Sequence, residues 1–353
     1  MPEDPSGKVS LPLIVDRKTT PMRRRTVLSS LTALTAAALV LAGCGADAKD
    51  DASSAGGAWS YTAGDGKTYT ADKTPTRIIA HAYAAKALME FGIKPVGIYA
   101  DGKVAEDVGL QGVDFTGIEI LGEEWGKIDA EKAVTLAPDL IVADWWPAEG
   151  VYSGQEEGVE DSAKKLSELA DVVGPAQGDS IVGVIEGYAT LAKSLGADAA
   201  AIDSAKATFD EAVARFQAAT AAKPNLTALA ISPYDDVYAV AVPKYAPELL
   251  DFQKWGLKVI DPETPDPEFP YWESLSFENA DKYQPDVLLF DDRNAPGGQE
   301  KLASQPIAAN IKAYAAGAMT NWPAYWLHTY TDYTAQLDKL TTFIESADEN
   351  TGE

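Results

Sequence analysis

The sequence predicts an α/β protein built as two similar lobes joined by a single helix, and two observations carry that prediction. The first is an internal repeat. Residues 128–142 read IDAEKAVTLAPDLIV and residues 275–289 read LSFENADKYQPDVLL, so that Glu131/Glu278, Ala133/Ala280, Pro138/Pro285 and Asp139/Asp286 recur at an offset of 147 residues. In each copy a polar N-cap, Asp129 or Ser276, opens a short helix, a proline ends it, and an apolar run of strand length follows. A helix, Pro-Asp and then a buried strand is half of a βαβ unit. The second observation is a long helical stretch, 179–222, between the copies. Its first part, 179–196, has Ile181, Val182, Ile185, Tyr188, Ala189 and Leu195 at helical spacing, with Asp179 or Ser180 as cap and Gly196 as stop. This connecting helix separates an N-terminal lobe, 59–178, from a C-terminal lobe, 197–353. One helix between lobes leaves little hinge, where two or three crossovers would leave much.

Ahead of the lobes, residues 1–43 read as an export signal. Three arginines follow Met22, an apolar region too short to span a bilayer comfortably runs to Leu41, and small residues precede Cys44. Met22 would itself open a signal of ordinary length. The run Leu41-Ala42-Gly43-Cys44 resembles the bacterial lipobox, in which the cysteine is acylated and becomes the mature N-terminus. Cys44 is the single cysteine of the chain, so no internal disulfide is expected. Arg24-Arg25-Thr26-Val27-Leu28 also fits a twin-arginine export signal, which leaves two export routes open. Residues 44–58, dominated by Gly, Ala, Ser and Asp, have almost nothing to bury and read as a flexible tether.

Charge narrows the partners. The chain carries 54 Asp and Glu against 29 Lys and Arg, a net charge of −25. Such an acidic protein is a poor partner for nucleic acid or an anionic membrane surface, and solubility outside the cell accounts for most of the excess.

Along the N-terminal lobe, 59–70 alternates around Gly64-Asp65-Gly66 as a hairpin, 76–80 is a short strand, 84–91 a helix stopped by Gly92, and 95–99 a strand. In the C-terminal lobe 226–232 and 237–242 read as strands, 246–255 as a helix ended by Gly256, and 258–260 as a strand. A loop rich in Pro and acidic residues, 261–270, then leads to Tyr271-Trp272, and a helix over 324–346 closes the lobe.

The run RIIAHAYAAKALMEFGIKPVGI, residues 77–98, followed by the first repeat copy, resembles the start of the iron-siderophore and vitamin B12 class of ABC-transporter solute-binding proteins, the helical-backbone class III. The resemblance extends over nearly all of residues 60–345. It implies two Rossmann-like α/β lobes on one rigid helix with the ligand in the cleft between them. It further implies a monomeric, non-enzymatic lipoprotein that works with an ABC permease and its ATPase at the outer face of the cell membrane.

In open α/β sheets ligands lie beyond the C-terminal strand ends. That rule selects His81 and Tyr83, Asp101, Trp145 and Trp146, Tyr234, and Asp291, Asp292 and Arg293. Trp272 stands six residues before Glu278, as a tryptophan does in the vitamin B12-binding member of the class, and Trp322 and Trp326 precede the closing helix where the class presents ligand contacts. The expected ligand set is His81, Tyr83, Trp145, Trp146, Tyr234, Trp272, Arg293 and Trp322. Flat, rigid rings offer contact area at little entropy cost and suit a bulky ligand. Glu131 and Glu278 sit in first helical turns, where the helix dipole favours a carboxylate; the resemblance adds that they pair with permease arginines.

Other chemistries find little support. There is no Walker-type loop, no GxGxxG and no zinc-ligand spacing, and His81 and His328 are the only histidines, so a directly bound metal is not expected. Asp144, Asp291 and Asp292 leave one enzymatic alternative, a secreted carboxylate-dependent hydrolase. After Cys44 the arginines are Arg77, Arg215 and Arg293, and only Arg293 is placed at a strand end. A multiply charged catecholate complex needs several basic residues, so a neutral or cationic ferric hydroxamate is the favoured ligand, with cobalamin and haem left open. No cofactor of the protein's own is expected; iron enters only inside its chelate.

Overall fold

The computed structural model describes residues 58–353. The expected export signal, Cys44 and the tether up to residue 57 lie outside the described residues. The chain opens with a hairpin of β1 (Trp59–Thr62) and β2 (Thr68–Ala71), closed by the Gly66 N–H donating to the Ala63 carbonyl at 2.9 Å. Then follow β3 (Ile78–His81), α1 (Ala82–Glu90), β4 (Gly97–Ala100), β5 (Glu119–Glu123), α2 (Ala130–Thr135) and β6 (Leu140–Val142). A small hairpin of β7 (Trp145–Trp146) and β8 (Val151–Tyr152), α3 (Glu160–Leu169) and β9 (Val172–Val173) complete the lobe. Its five-stranded sheet is wholly parallel in the order β5-β4-β3-β6-β9, with Ile78, Ile79, Ala80, Leu140, Ile141 and Val142 all buried. Near-continuous apolar strands are what a parallel sheet covered on both faces requires.

Two helices, α4 (Ile181–Ser194) and α5 (Ala199–Ala222), connect this lobe to β10 (Thr227–Tyr234), β11 (Val237–Ala241), α6 (Pro247–Lys254), β12 (Lys258–Val259), β13 (Trp272–Ser276) and β14 (Val287–Asp291). The chain ends with α7 (Ala295–Ala303), α8 (Lys312–Ala315), β15 (Met319–Trp322) and α9 (Tyr330–Ser346). The second sheet runs β13-β11-β10-β14-β15, with β12 parallel to the start of β10 and β11 antiparallel to its end. The helical stretch 179–222 divides at the expected stop: Gly196, at φ +94°, ends α4 in a left-handed turn, and Asp198 starts a second helix, α5, by accepting from the Ala200 N–H at 2.9 Å. One expectation needs correction here. The closing helix starts at Tyr330 rather than 324, where the Thr329 hydroxyl takes the Asp332 N–H.

The repeat has a structural purpose in both copies. After each proline the aspartate turns back onto the first strand of its own sheet: Asp139 accepts from the Thr76 and Arg77 N–H groups at 3.0 and 2.7 Å, and Asp286 accepts from the Thr227 N–H and hydroxyl at 2.8 Å each. Each Pro-Asp therefore pins the helix end to the start of the first strand of its sheet, β3 or β10.

Three carboxylates, the buried Asp251 and Asp144 and the half-buried Glu90, hold the lobes to the connecting helix and to each other. Asp251 of α6 caps α4, accepting from the Ile181 N–H at 3.0 Å and the Tyr333 hydroxyl at 3.0 Å. Glu90, at the end of α1, caps α9 through the Tyr330 and Thr331 N–H groups at 3.0 and 2.8 Å. Asp144, just past β6, takes the His328 Nε2–H at 2.8 Å and the Tyr188 hydroxyl. Burial works to raise the Asp144 carboxyl, but the His328 and Tyr188 contacts win and hold it below the usual carboxylate range. Around these groups α5 packs along α9 in an aromatic core, with the Phe209 and Tyr333 rings 5.2 Å apart.

Candidate cleft between the lobes

In each sheet the strand order reverses between two neighbours, β3 and β6 in the first lobe and β10 and β14 in the second, and the chain just past β6 meets the second lobe where Asp144 bonds His328. On the first side, His81 ends β3 and is 4% exposed. Its Nε2 lies 3.3 Å from Asp101, its ring meets Tyr99 edge-on at 5.5 Å, and its Nδ1 has no partner among the described residues. Burial works against a charged imidazole, yet Asp101 outweighs it and raises the His81 pKa; the same contact holds the half-exposed Asp101 carboxyl low. Tyr83 stacks on His328 at 5.1 Å and 9° and donates to Asp107 at 2.7 Å. Gly109 is required there, since a Cβ would stand 2.7 Å from Trp326 Cβ and 2.8 Å from Tyr83 Cε1.

Trp145 and Trp146 are both half-buried on β7. Trp145 lies edge-on to Tyr152 at 4.9 Å, and the Trp146 indole donates to the Ser153 hydroxyl at 2.8 Å. Neither ring is lost in the core. Glu156 lies in the electrostatic field of Asp101 and His81, and burial raises its carboxyl.

On the second side, Tyr234 ends β10 at 41% exposure. Arg293 follows β14, with Nε and Nη2 donating to Asp291 at 3.0 and 2.6 Å and its guanidinium 4.9 Å from the Tyr325 ring centre. Nη1 makes no hydrogen bond among the described residues. Burial opposes its charge, but Asp291 more than restores it. The charge of Arg293 reaches Tyr83 in the opposite lobe, and Glu149 reaches Tyr271 in the same way.

Two expected contacts are corrected. Trp322 is 0% exposed and Trp272 6%, so both rings belong to the core. The half-buried residue beside Trp272 is Tyr271, in the turn that leads into β13, which clusters with Tyr245 at 5.0 Å and Phe269 at 5.1 Å. At the other position the residue that meets Arg293 is Tyr325, in a left-handed turn at φ +64°. Neither residue had a periodic sequence signal: Tyr271 stands in the turn before β13, and Tyr325 in a left-handed turn. Glu131 and Glu278 are both exposed; Glu131 stands in the first turn of α2, which Asp129 caps as expected, whereas Glu278 stands in a three-residue 3-10 turn, 277–279, that the Ser276 side chain does not cap, a correction to the second copy of the repeat.

The carboxylates of the hydrolase alternative are spent internally. Asp144 serves His328 and Tyr188, Asp291 serves Arg293, and Asp292 accepts from the Trp326 indole at 2.9 Å. Burial pushes Asp292 up to about 7. Among the described residues no group of three or more His, Cys, Asp or Glu is arranged to hold a metal ion, and no helix is long and apolar enough to cross a membrane.

Two α/β sheets on a shared helical frame, with aromatic and charged side chains at their facing strand ends, define a two-lobed solute-binding protein. The chain belongs to the periplasmic binding protein family: the family's model matches residues 150–325. It is similar over 82% of its length, at 31% identity and a TM-score of 0.72, to 99% of DesE, a ferric-siderophore receptor protein from Streptomyces coelicolor. A siderophore periplasmic binding protein from the fuscachelin gene cluster of Thermobifida fusca shares the fold at 20% identity, with 77% of this chain and 97% of that one covered and a TM-score of 0.60. So does FhuD2 from Staphylococcus aureus, solved with bound ferrioxamine B, at 17% identity, 78% and 100% coverage and a TM-score of 0.55. Comparison with curated proteins gives no match.

Proposed function

We propose that this protein is the solute-binding lipoprotein of an ABC importer, capturing a ferric siderophore of the hydroxamate type and delivering it to a membrane permease. The observation that carries the reading is the composition of the facing strand ends. A single arginine with one free edge stands among aromatic rings, opposite carboxylates at Asp101 and Glu156. The other two arginines of the folded chain are committed elsewhere, Arg77 to the Leu136 and Ala137 carbonyls and Arg215 to Asp338. A multiply anionic catecholate would find too little compensating charge here, whereas a neutral or cationic hydroxamate complex would not need it. The 31% identity to a ferric-siderophore receptor supports iron-chelate transport over cobalamin or haem.

Tyr83, Trp145, Trp146, Tyr234 and Arg293 are the ligand contacts in this reading, joined by Tyr271 and Tyr325, with His81 behind Tyr83. Glu131 and Glu278 dock the loaded protein onto the permease, and acylated Cys44 keeps a monomer at the outer membrane face of the exporting cell. Competition among ferrioxamine B, a ferric tris-catecholate, haem and cobalamin for the purified protein tests the ligand class. The hydroxamate is expected to bind at one per chain and displace the others; preference for the catecholate would overturn the charge argument.

A further inference from the structure

Beneath Arg293 lies a carboxyl that the strand ends do not display. Glu248, in the first turn of α6, is 0% exposed, and its Oε1 accepts the Tyr325 backbone N–H at 2.6 Å, reaching across 77 positions of the chain. Its Oε2 is buried without a partner among the described residues. The residue it holds is strained, for a bulky side chain rarely adopts the φ of +64° found at Tyr325. That strained residue supplies the ring under the Arg293 guanidinium, while Asp291 fixes the guanidinium from the other side. Nothing else among the described hydrogen bonds holds the Tyr325 N–H.

We infer that Glu248 is a positioning residue for ligand capture: by holding the Tyr325 N–H it keeps the aromatic seat on which Arg293 presents Nη1 to the bound chelate. The inference rests on the proposed role of Arg293 in meeting that chelate. Its protonation state follows from its surroundings. The charged and titratable groups that face it are Arg293, Asp251 on its own helix, Tyr325 and Tyr333 of α9. Burial dominates and pushes its carboxyl up to about 8, against the pull of the Tyr325 N–H and Arg293. At neutral pH it is a neutral acid, with one oxygen free to accept and the proton on the other. Once ionised, it would compete with Asp291 for the Arg293 guanidinium and draw the cation inward, away from ligand.

The test uses ferrioxamine B titrated against wild type, Glu248→Gln and Glu248→Ala. Glu248→Gln, which keeps an accepting oxygen, should bind like wild type at pH 7; Glu248→Ala should bind about tenfold more weakly. Wild type should lose affinity severalfold between pH 7 and 9 while Glu248→Gln stays flat. In an Arg293→Met background Glu248→Ala should cost no further affinity, because its effect passes through Arg293. Equal affinity of Glu248→Ala and wild type, the same loss in both backgrounds, or identical pH profiles for wild type and Glu248→Gln would each overturn the inference. If Glu248→Ala does not fold, the Glu248→Gln profile decides. The NMR signal of Arg293 Nε–H, which needs no ligand, separates this claim from the ligand reading: it should move in Glu248→Ala and stay in Glu248→Gln, and an unmoved signal in Glu248→Ala would overturn the positioning role even if ferrioxamine B failed to bind.

Discussion

Where the lobes join, carboxylates are saturated; where they face each other, polar groups are left with capacity to spare. Asp251 caps the connecting helix, Glu90 caps the closing helix, and Asp144 ties the first lobe to His328 and Tyr188, each with two or more donors. At the facing strand ends, by contrast, Arg293 keeps Nη1 unengaged and Tyr234 is 41% exposed. The difference is physical division of labour. A seam of satisfied hydrogen bonds, buried at Asp251 and Asp144, resists bending, because opening it there would strand polar groups away from water. A rim with unspent donors and flat rings is what a ligand needs, and a stiff seam delivers that rim already arranged.

Breaking the seam should give the largest effect. Asp144→Ala leaves His328 and Tyr188 without their shared acceptor, and removing one partner of such a buried pair costs about 3–5 kcal/mol. Urea unfolding should register that loss; a change below about 1 kcal/mol would mean the seam is not what holds the lobes. Trp272→Ala should also act on stability, at about 3–5 kcal/mol, with ferrioxamine B affinity in the surviving folded protein unchanged.

The pH dependence of stability sharpens the contrast from the other direction. The Glu248 carboxyl, near 4.5 when exposed, is raised to about 8 in the folded protein. Its stabilising contribution is therefore complete below about 4.5 and is lost as pH rises through about 8, at about 1.4 kcal/mol per pH unit across that window. Melting temperatures of wild type and Glu248→Gln measured from pH 5 to 9 should diverge with rising pH, the wild type falling faster. Parallel curves would show that Glu248 does not titrate in this range.

At the rim the effects shift from stability to affinity. Tyr271→Ala should weaken ferrioxamine B by about tenfold with little change in unfolding free energy, the reverse of Trp272→Ala one residue away. The smallest effect on both quantities belongs to Glu131→Ala with Glu278→Ala. These exposed helix-start carboxylates should change stability by less than about 0.5 kcal/mol and leave affinity intact, while abolishing uptake of iron-loaded ferrioxamine in cells. Uptake at the wild-type rate would reduce them to helix-end charges.

How much of this was legible in the sequence depends on the range over which each signal acts. The repeat, the two sheets and the strand-end positions of His81, Trp145, Tyr234 and Arg293 follow from local periodicity and from the rule for open α/β sheets. Spacing is a weaker guide to exposure, and choosing Trp272 by its six-residue distance from Glu278 placed a core residue at the cleft, with Tyr271 in the turn before it. The break at Gly196 was marked by the glycine itself, whereas the cap that Asp198 gives α5 was not read from the sequence. Tyr325 and Glu248 left no trace, because a left-handed backbone at a tyrosine and a hydrogen bond to a distant helix are tertiary facts.

The most direct test is a crystal structure of the protein with ferrioxamine B. The account predicts the chelate between the lobes, touching Arg293 and rings of both strand-end sets, with the His328–Asp144 and Asp251–Ile181 contacts intact and the lobes in nearly the same relation as without ligand. A chelate seated elsewhere, or lobes swung together with those seam contacts broken, would contradict it.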